Sequence, residues 1–210
     1  RNYSSFKLNA LWFLIIANVL IFIITLIRPE AIFLLGLTPA YFLHQPWTII
    51  SNLFVHAGFR HILFNMISLY FLGGFLLRLV GEKDFLRVYF AGGVLGNILY
   101  ILLGPSFSLG VGASGAVFAL GGALAIMVPK LRVFVFPIPI PIPLWVATII
   151  LLLLSFLPSV AWQAHLGGFA LGLAAGYFFK KEGGLTIFET QEKSKDICFK
   201  KRWGQGCSLC

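Results

Sequence analysis

The sequence predicts an all-α membrane protein: a bundle of six transmembrane helices with an interfacial segment between helices 1 and 2. Three observations predict it. Apolar residues fill 59% of the 210 positions and charged residues 11%, against roughly 45–50% and about 25% in soluble domains. A soluble fold of this length keeps too much surface wet to hide that apolar excess. The apolar residues fall in six runs, and the basic residues are distributed unevenly between the segments that join them.

The runs are Leu8–Ile27, His61–Val80, Phe85–Leu103, Ser114–Val128, Pro143–Leu157 and Gln163–Phe179. A hydrocarbon core of about 30 Å calls for roughly 17–25 helical residues. The last three runs are short, which is tolerable when neighbouring helices shield a helix end below the membrane surface. With the N-terminus inside, fourteen of the 16 Lys and Arg lie on inner segments or inner span ends, and only Arg28 and Arg60 lie outside. That asymmetry sets orientation. An even number of spans returns the C-terminus to the inside, so both termini are expected in the cytoplasm. Arg1 stands where an initiator Met would be, so the start is expected to be cut or processed. No cleavable signal peptide is expected, because the first run, about 20 residues, is long enough to span.

The connection Arg28–Arg60 holds Tyr41, Phe42, Pro46, Trp47 and Phe54 with few charges. It is too apolar for an aqueous loop and suits the outer interface, where Trp and Tyr are at home. Pro137–Pro143 alternates Pro with Ile, which forbids a helix and favours a stiff extended lead into the fifth span. Two parts are therefore expected: a six-helix domain over residues 1–180, and a basic, disordered cytosolic tail over 181–210. The three cysteines, Cys198, Cys207 and Cys210, all lie in that tail, so no disulfide framework holds the core. Cys207-x2-Cys210 is half of a zinc site without its second pair. Cys207 also stands four from the end, as a prenylation signal would require, but neither pattern is complete enough to carry a function. The net charge of +9 raises nucleic acid as a partner. The charge sits beside apolar runs and in the tail, not on a face interleaved with stacking aromatics, so nucleic acid is not expected. Anionic lipid head groups suit the tail better.

Ionisable residues inside spans are costly and mark functional sites. No Asp, Glu or Lys lies deep in a span. What remains is His61 and Asn65 in the second span, Asn97 in the third, Ser114 opening the fourth and His165 in the sixth, with Asn18 in the first. Asn18 and Asn97 suit hydrogen bonds between helices. His61 and Asn65, spaced i, i+4, share a helix face and can together donate to one oxygen atom. Ser114 sits in Gly110-Val-Gly-Ala-Ser-Gly-Ala116, where glycines let other backbones approach and N–H groups point at a ligand. Small-residue helix packing is the competing reading. The segment is not a Gly-x-Ser-x-Gly elbow, because Ala116 replaces the last Gly. His165 precedes Gly168, Gly172 and Gly176 by one turn. That stripe forms a groove on which another helix can sit close. If the fourth helix sits there, His165 comes near Ser114, and a neutral His can accept a Ser proton. No carboxylate lies nearby, so a Ser-His dyad is expected rather than a triad. No ligand cluster exists at depth, so no metal or organic cofactor is expected.

His56-x4-His61-x3-Asn65, Gly112-Ala-Ser114-Gly115 and Ala164-His165-x2-Gly168, in this order and on the second, fourth and sixth spans, together resemble the rhomboid family of intramembrane serine proteases. The resemblance covers about Ala40–Phe179. It implies that Ser114 is the nucleophile and His165 the general base. His61, Asn65 and the Ser114 backbone N–H would form the oxyanion hole. His56 would support the site, with Gly112 in the loop before the nucleophile. Phe118, one turn after Ser114, stands where many members carry an aromatic that packs on the catalytic His. The resemblance further implies single-span membrane proteins as substrates and a cavity opening to the outer side. It also implies substrate entry through a mobile fifth span or an overlying loop. The family's interfacial segment often carries Trp-Arg; here Thr48 follows Trp47. A bacterial or archaeal cell membrane fits a chain with almost no domain outside the bilayer.

Two other functions compete. A non-cleaving relative that binds transmembrane clients usually lacks the Ser or the His, and both are present. A channel or transporter needs polar residues along a pathway or paired charges at depth, whereas the polar groups here cluster towards the outer half.

Overall fold

A computed structural model describes residues 9–134, 140–158 and 160–181. The predicted tail beyond Lys181 and the first half of the Pro-Ile segment lie outside the described residues. Most of the described residues are helical, with helices on all six predicted runs. They are α1 (Ala10–Ile27), α4 (Phe59–Ser68) continuing through a π-helical turn at Leu69–Gly73 into α5 (Gly74–Val80), α6 (Glu82–Leu103), α7 (Ser114–Met127), α8 (Leu144–Leu154) and α9 (Trp162–Lys181). Among the described residues, three helical stretches are long and apolar enough to cross a membrane: Ala10–Ile27, Phe59–Val80 and Glu82–Leu103. Large apolar side chains such as Phe13, Ile27, Leu102 and Leu153 point outward, as they do where lipid is the solvent.

α7 is the axis of the bundle. Apart from Ser114, Phe118 and Ile126, every residue of it is buried, which a helix apolar on all sides requires. α9 runs along it, and the predicted glycine stripe is the contact. A Cβ on Gly168 would strike the Gly115 carbonyl oxygen, one on Gly172 that of Ala119, and one on Gly176 that of Ala123. Steps of four on one helix thus meet steps of four on the other, backbone against backbone. α6 closes on the same helix, because Gly96 lies against the Ala164 carbonyl and Gly167 against the Gly96 backbone. Ala10 N–H donates to Glu82 Oε1 at 2.8 Å, joining the start of α1 to the start of α6.

The long connection between α1 and α4 is a chain of short helices: α2 (Ala31–Leu35), a 3-10 turn at Pro39–Tyr41, α3 (Thr48–Ser51) and a second 3-10 turn at Asn52–Phe54. Side chains tie it to itself. Trp47 Nε1 donates to Leu34 O at 2.9 Å and Ser51 Oγ to Leu35 O at 2.7 Å. Backbone bonds tie it to the loop before α7. Leu37 and Gly110 exchange N–H···O bonds of 2.9 and 2.7 Å, and Ala40 N–H donates to Ser106 O at 2.9 Å. The described end of the Pro-Ile segment is extended, and Ile142–Pro143 pairs antiparallel with Arg132–Val133.

Of the two asparagines expected to bond between helices, Asn97 does so, from α6 to α3 and the second 3-10 turn, while the Asn18 amide N–H bonds within its own helix. Asn18 Nδ2 donates to Leu14 O at 2.8 Å within α1. Asn97 on α6 pairs amide to amide with Asn52 of the connecting segment, at 3.0 and 2.7 Å, and also donates to Ile49 O at 2.7 Å. Asn97 thus ties α6 to the short helices of the connecting segment.

Candidate active site

Ser114 is the first residue of α7, and His165 lies in the first turn of α9. The Gly168–Gly115 contact sets the two helix starts side by side, and Ser114 Oγ lies 2.7 Å from His165 Nε2. His165 is buried, and the Phe118 ring stacks on it with centroids 4.5 Å apart and planes 26° apart.

The loop before Ser114 is held open by one glycine. Gly112 has φ +125°, a conformation that side chains resist. A Cβ there would lie 2.7 Å from His61 Nε2 and 3.6 Å from Ser114 Oγ, so the absent side chain leaves His61 free to approach the serine. Gly112 N–H donates to Asn52 O at 2.9 Å. The Asn52–Asn97 pair therefore holds the glycine as well as the connecting segment.

Asn65 is buried one turn beyond His61, and its Nδ2 donates one proton to His61 O at 2.9 Å. The amide keeps a second N–H, and Asn65 lines the same cavity as Ser114 and His165. His56 precedes α4, is buried, and meets the His61 ring edge-on at 5.0 Å. Burial first, and the neighbouring His61 second, push its pKa down to about 3, so His56 is neutral and serves as packing behind His61.

The cavity holds about 650 Å³ and lies between α4 with its π turn on one side and α8 on the other. Its walls are mostly apolar, with Phe64, Phe71, Leu72, Val117, Leu151 and Leu154 among them, and Ser114, His165, Asn65 and Ser155 line it together. π turns recur at functional sites because they displace side chains from the regular helix face.

Residues 43–182 match the Rhomboid domain. The chain belongs to the rhomboid family. Relatives of this rhomboid include Rhomboid-like protease 3 of Toxoplasma gondii, 30% identical over 69% of this chain and 56% of its own length. RHOMBOID-like protein 1 of Arabidopsis thaliana is 35% identical over 65% of this chain and 35% of its own. YdcA of Bacillus subtilis (strain 168), also named in the rhomboid family, is 42% identical over 39% of this chain and 41% of its own. The chain spans about half or less of the length of these relatives. Family membership and the apolar helices make this rhomboid an integral membrane protein.

All seven sequence-predicted site residues of the rhomboid, His56, His61, Asn65, Gly112, Ser114, Phe118 and His165, gather at this one end of the bundle. Two residues that sequence reasoning passed over join them, Asn52 through its backbone carbonyl and Ser155 through its hydroxyl. Asn52 anchors Gly112, and Ser155, just past α8, lies 2.7 Å from His165 Nδ1. A signal for Ser155 did exist: it is a lone hydroxyl closing the run Leu151–Leu154.

Proposed function

We propose that this chain is an intramembrane serine endopeptidase that cleaves single-span membrane proteins with a Ser114–His165 dyad. The observation that carries the reading is the 2.7 Å approach of Ser114 Oγ to His165 Nε2 in a mostly apolar cavity. A serine hydroxyl needs a base within hydrogen-bond reach before it can attack. The cavity supplies an apolar enclosure for an unwound substrate segment.

In this mechanism Ser114 Oγ attacks the scissile carbonyl carbon as its proton passes to His165 Nε2. The negative charge gathers on the carbonyl oxygen, where His61, the free Asn65 N–H and the Ser114 backbone N–H receive it. His165 returns the proton to the leaving amine as the C–N bond breaks. Water then attacks the Ser114 ester, again with His165 as base, and frees the enzyme. Six spans place both termini in the cytoplasm and open the site to the outer side of a bacterial or archaeal membrane. Residues 1–180 form the protease domain, and 181–210 a basic tail at the inner surface.

Reconstitution in liposomes with a single-span substrate tests the reading. Wild type should cleave, Ser114→Ala should not, and a fluorophosphonate should label only the former. Equal cleavage by both would refute the nucleophile. Absence of both cleavage and labelling in wild type would favour a rhomboid that binds transmembrane clients without cutting them.

A further inference from the structure

The dyad uses one nitrogen of His165. The other, Nδ1, is held by Ser155 at 2.7 Å. Ser155 is buried, and its hydroxyl also lies 2.9 Å from Leu151 O. A carbonyl can only accept, and a hydroxyl has a single proton to give. That proton goes to Leu151, which leaves the Ser155 oxygen as an acceptor. Nδ1 must then carry hydrogen, and a neutral ring protonated at Nδ1 presents a bare lone pair at Nε2. That is the form able to take the proton of Ser114. The described carboxylates bond elsewhere: Glu30 to Arg28, Glu82 to Ala10 and Asp84 to Arg87.

We infer that Ser155 is a positioning residue of the dyad, holding His165 as its Nδ1–H tautomer. The inference rests on the Ser114–His165 reading. Ser155 does the orienting work that a carboxylate does in a triad, but without charge. It remains an acceptor when His165 becomes doubly protonated during attack, so its role persists through the step. Ser155 also closes α8, one wall of the cavity, so the base is tethered to that wall. Phe118 on one face of the imidazole and Ser155 at its edge restrain the ring in two independent directions.

The test uses the full chain in liposomes for kinetics and in micelles for spectroscopy. In protein labelled with ¹⁵N-histidine, long-range ¹H–¹⁵N spectra, with His165 assigned from His165→Gln, should show the proton on Nδ1. Ser155→Ala should lower kcat roughly ten- to hundredfold, by analogy with the loss of a hydrogen-bond partner that orients a metal-bound His. KM should stay within about twofold, because the buried hydroxyl is taken up by Leu151 and His165 and the loss falls on the transition state. The His165 signals should shift towards a mixture of tautomers, and Ser155→Thr should restore both rate and spectrum. An Nε2–H tautomer in wild type would overturn the inference without any variant having to fold. So would an unchanged kcat and spectrum in Ser155→Ala while Ser114→Ala is inert. Undiminished turnover in Ser114→Ala is the separate failure of the dyad itself, and the inference falls with it.

Discussion

The ring of Phe118 lies on the ring of His165, centroids 4.5 Å apart and nearly parallel. Phe118 is one turn beyond Ser114 on α7, so the helix that carries the proposed nucleophile also carries the platform for its proposed base. A stacked aromatic pair is worth about 0.5–1.5 kcal/mol beyond its buried area. Phe118→Ala should therefore slow turnover roughly two- to tenfold by the relation of barrier to rate, while Phe118→Tyr stays near wild type. Steady-state kinetics on a single-span substrate reads both.

Gly112 makes a sharper prediction. Its φ of +125° and the 2.7 Å approach of His61 Nε2 to a would-be Cβ leave no place for alanine. Gly112→Ala should push His61 away from Ser114 and cost about 10²–10³ in kcat, the scale of losing one oxyanion donor. Asn65→Ala should fall in the same range. A Gly112→Ala enzyme with full kcat would show that His61 has no part in the chemistry.

The α7–α9 seam should be intolerant of a single methyl group. Gly168→Ala sets a Cβ against the Gly115 carbonyl, backbone that cannot step aside. The two helices must separate, which lengthens the Ser114–His165 hydrogen bond. Both thermal stability in micelles and activity should drop. Gly58→Ala is the matched control, since nothing lies within 4 Å of its Cβ and its φ of 173° is extended backbone. It should melt and cleave like wild type.

The Asn52–Asn97 pair should be strongly coupled. Removing one amide leaves its buried partner unsatisfied, at a cost of about 1–3 kcal/mol. Asn97→Ala and Asn52→Ala should each destabilise, and the double variant should lose less than their sum in chemical denaturation. Additive losses would show that the two amides act separately.

Acid should weaken the fold through His56, which lies in the α1–α4 connection. Its pKa is about 3 in the folded chain, against an ordinary 6.5. Between those values the unfolded chain binds a proton that the folded chain refuses, so stability rises with pH in that window. Stability is complete above about pH 6.5 and is lost progressively as pH falls towards about 3. Melting temperatures from pH 7.5 to 4 should decline, and His56→Phe should flatten the decline. Identical slopes for the two proteins would remove His56 as the cause.

Much of this molecule was written in local sequence. Composition alone required lipid as solvent, because no small soluble fold can bury so much apolar surface. The four-residue step of Gly168, Gly172 and Gly176 announced a close helix seam, since helical periodicity places such residues on one face. Ser114 at a glycine-flanked helix start and His165 one turn before the seam followed from the same periodicity. The tertiary structure alone decided the rest. The 2.7 Å between Ser114 and His165, the pairing of Asn97 with Asn52, and the Ser155 bond to Nδ1 all depend on axial shift and crossing between helices. A periodic pattern reports which face of a helix is buried. It carries no record of how far one helix slides along the next, and hydrogen bonds between helices are made or lost within an ångström of that slide.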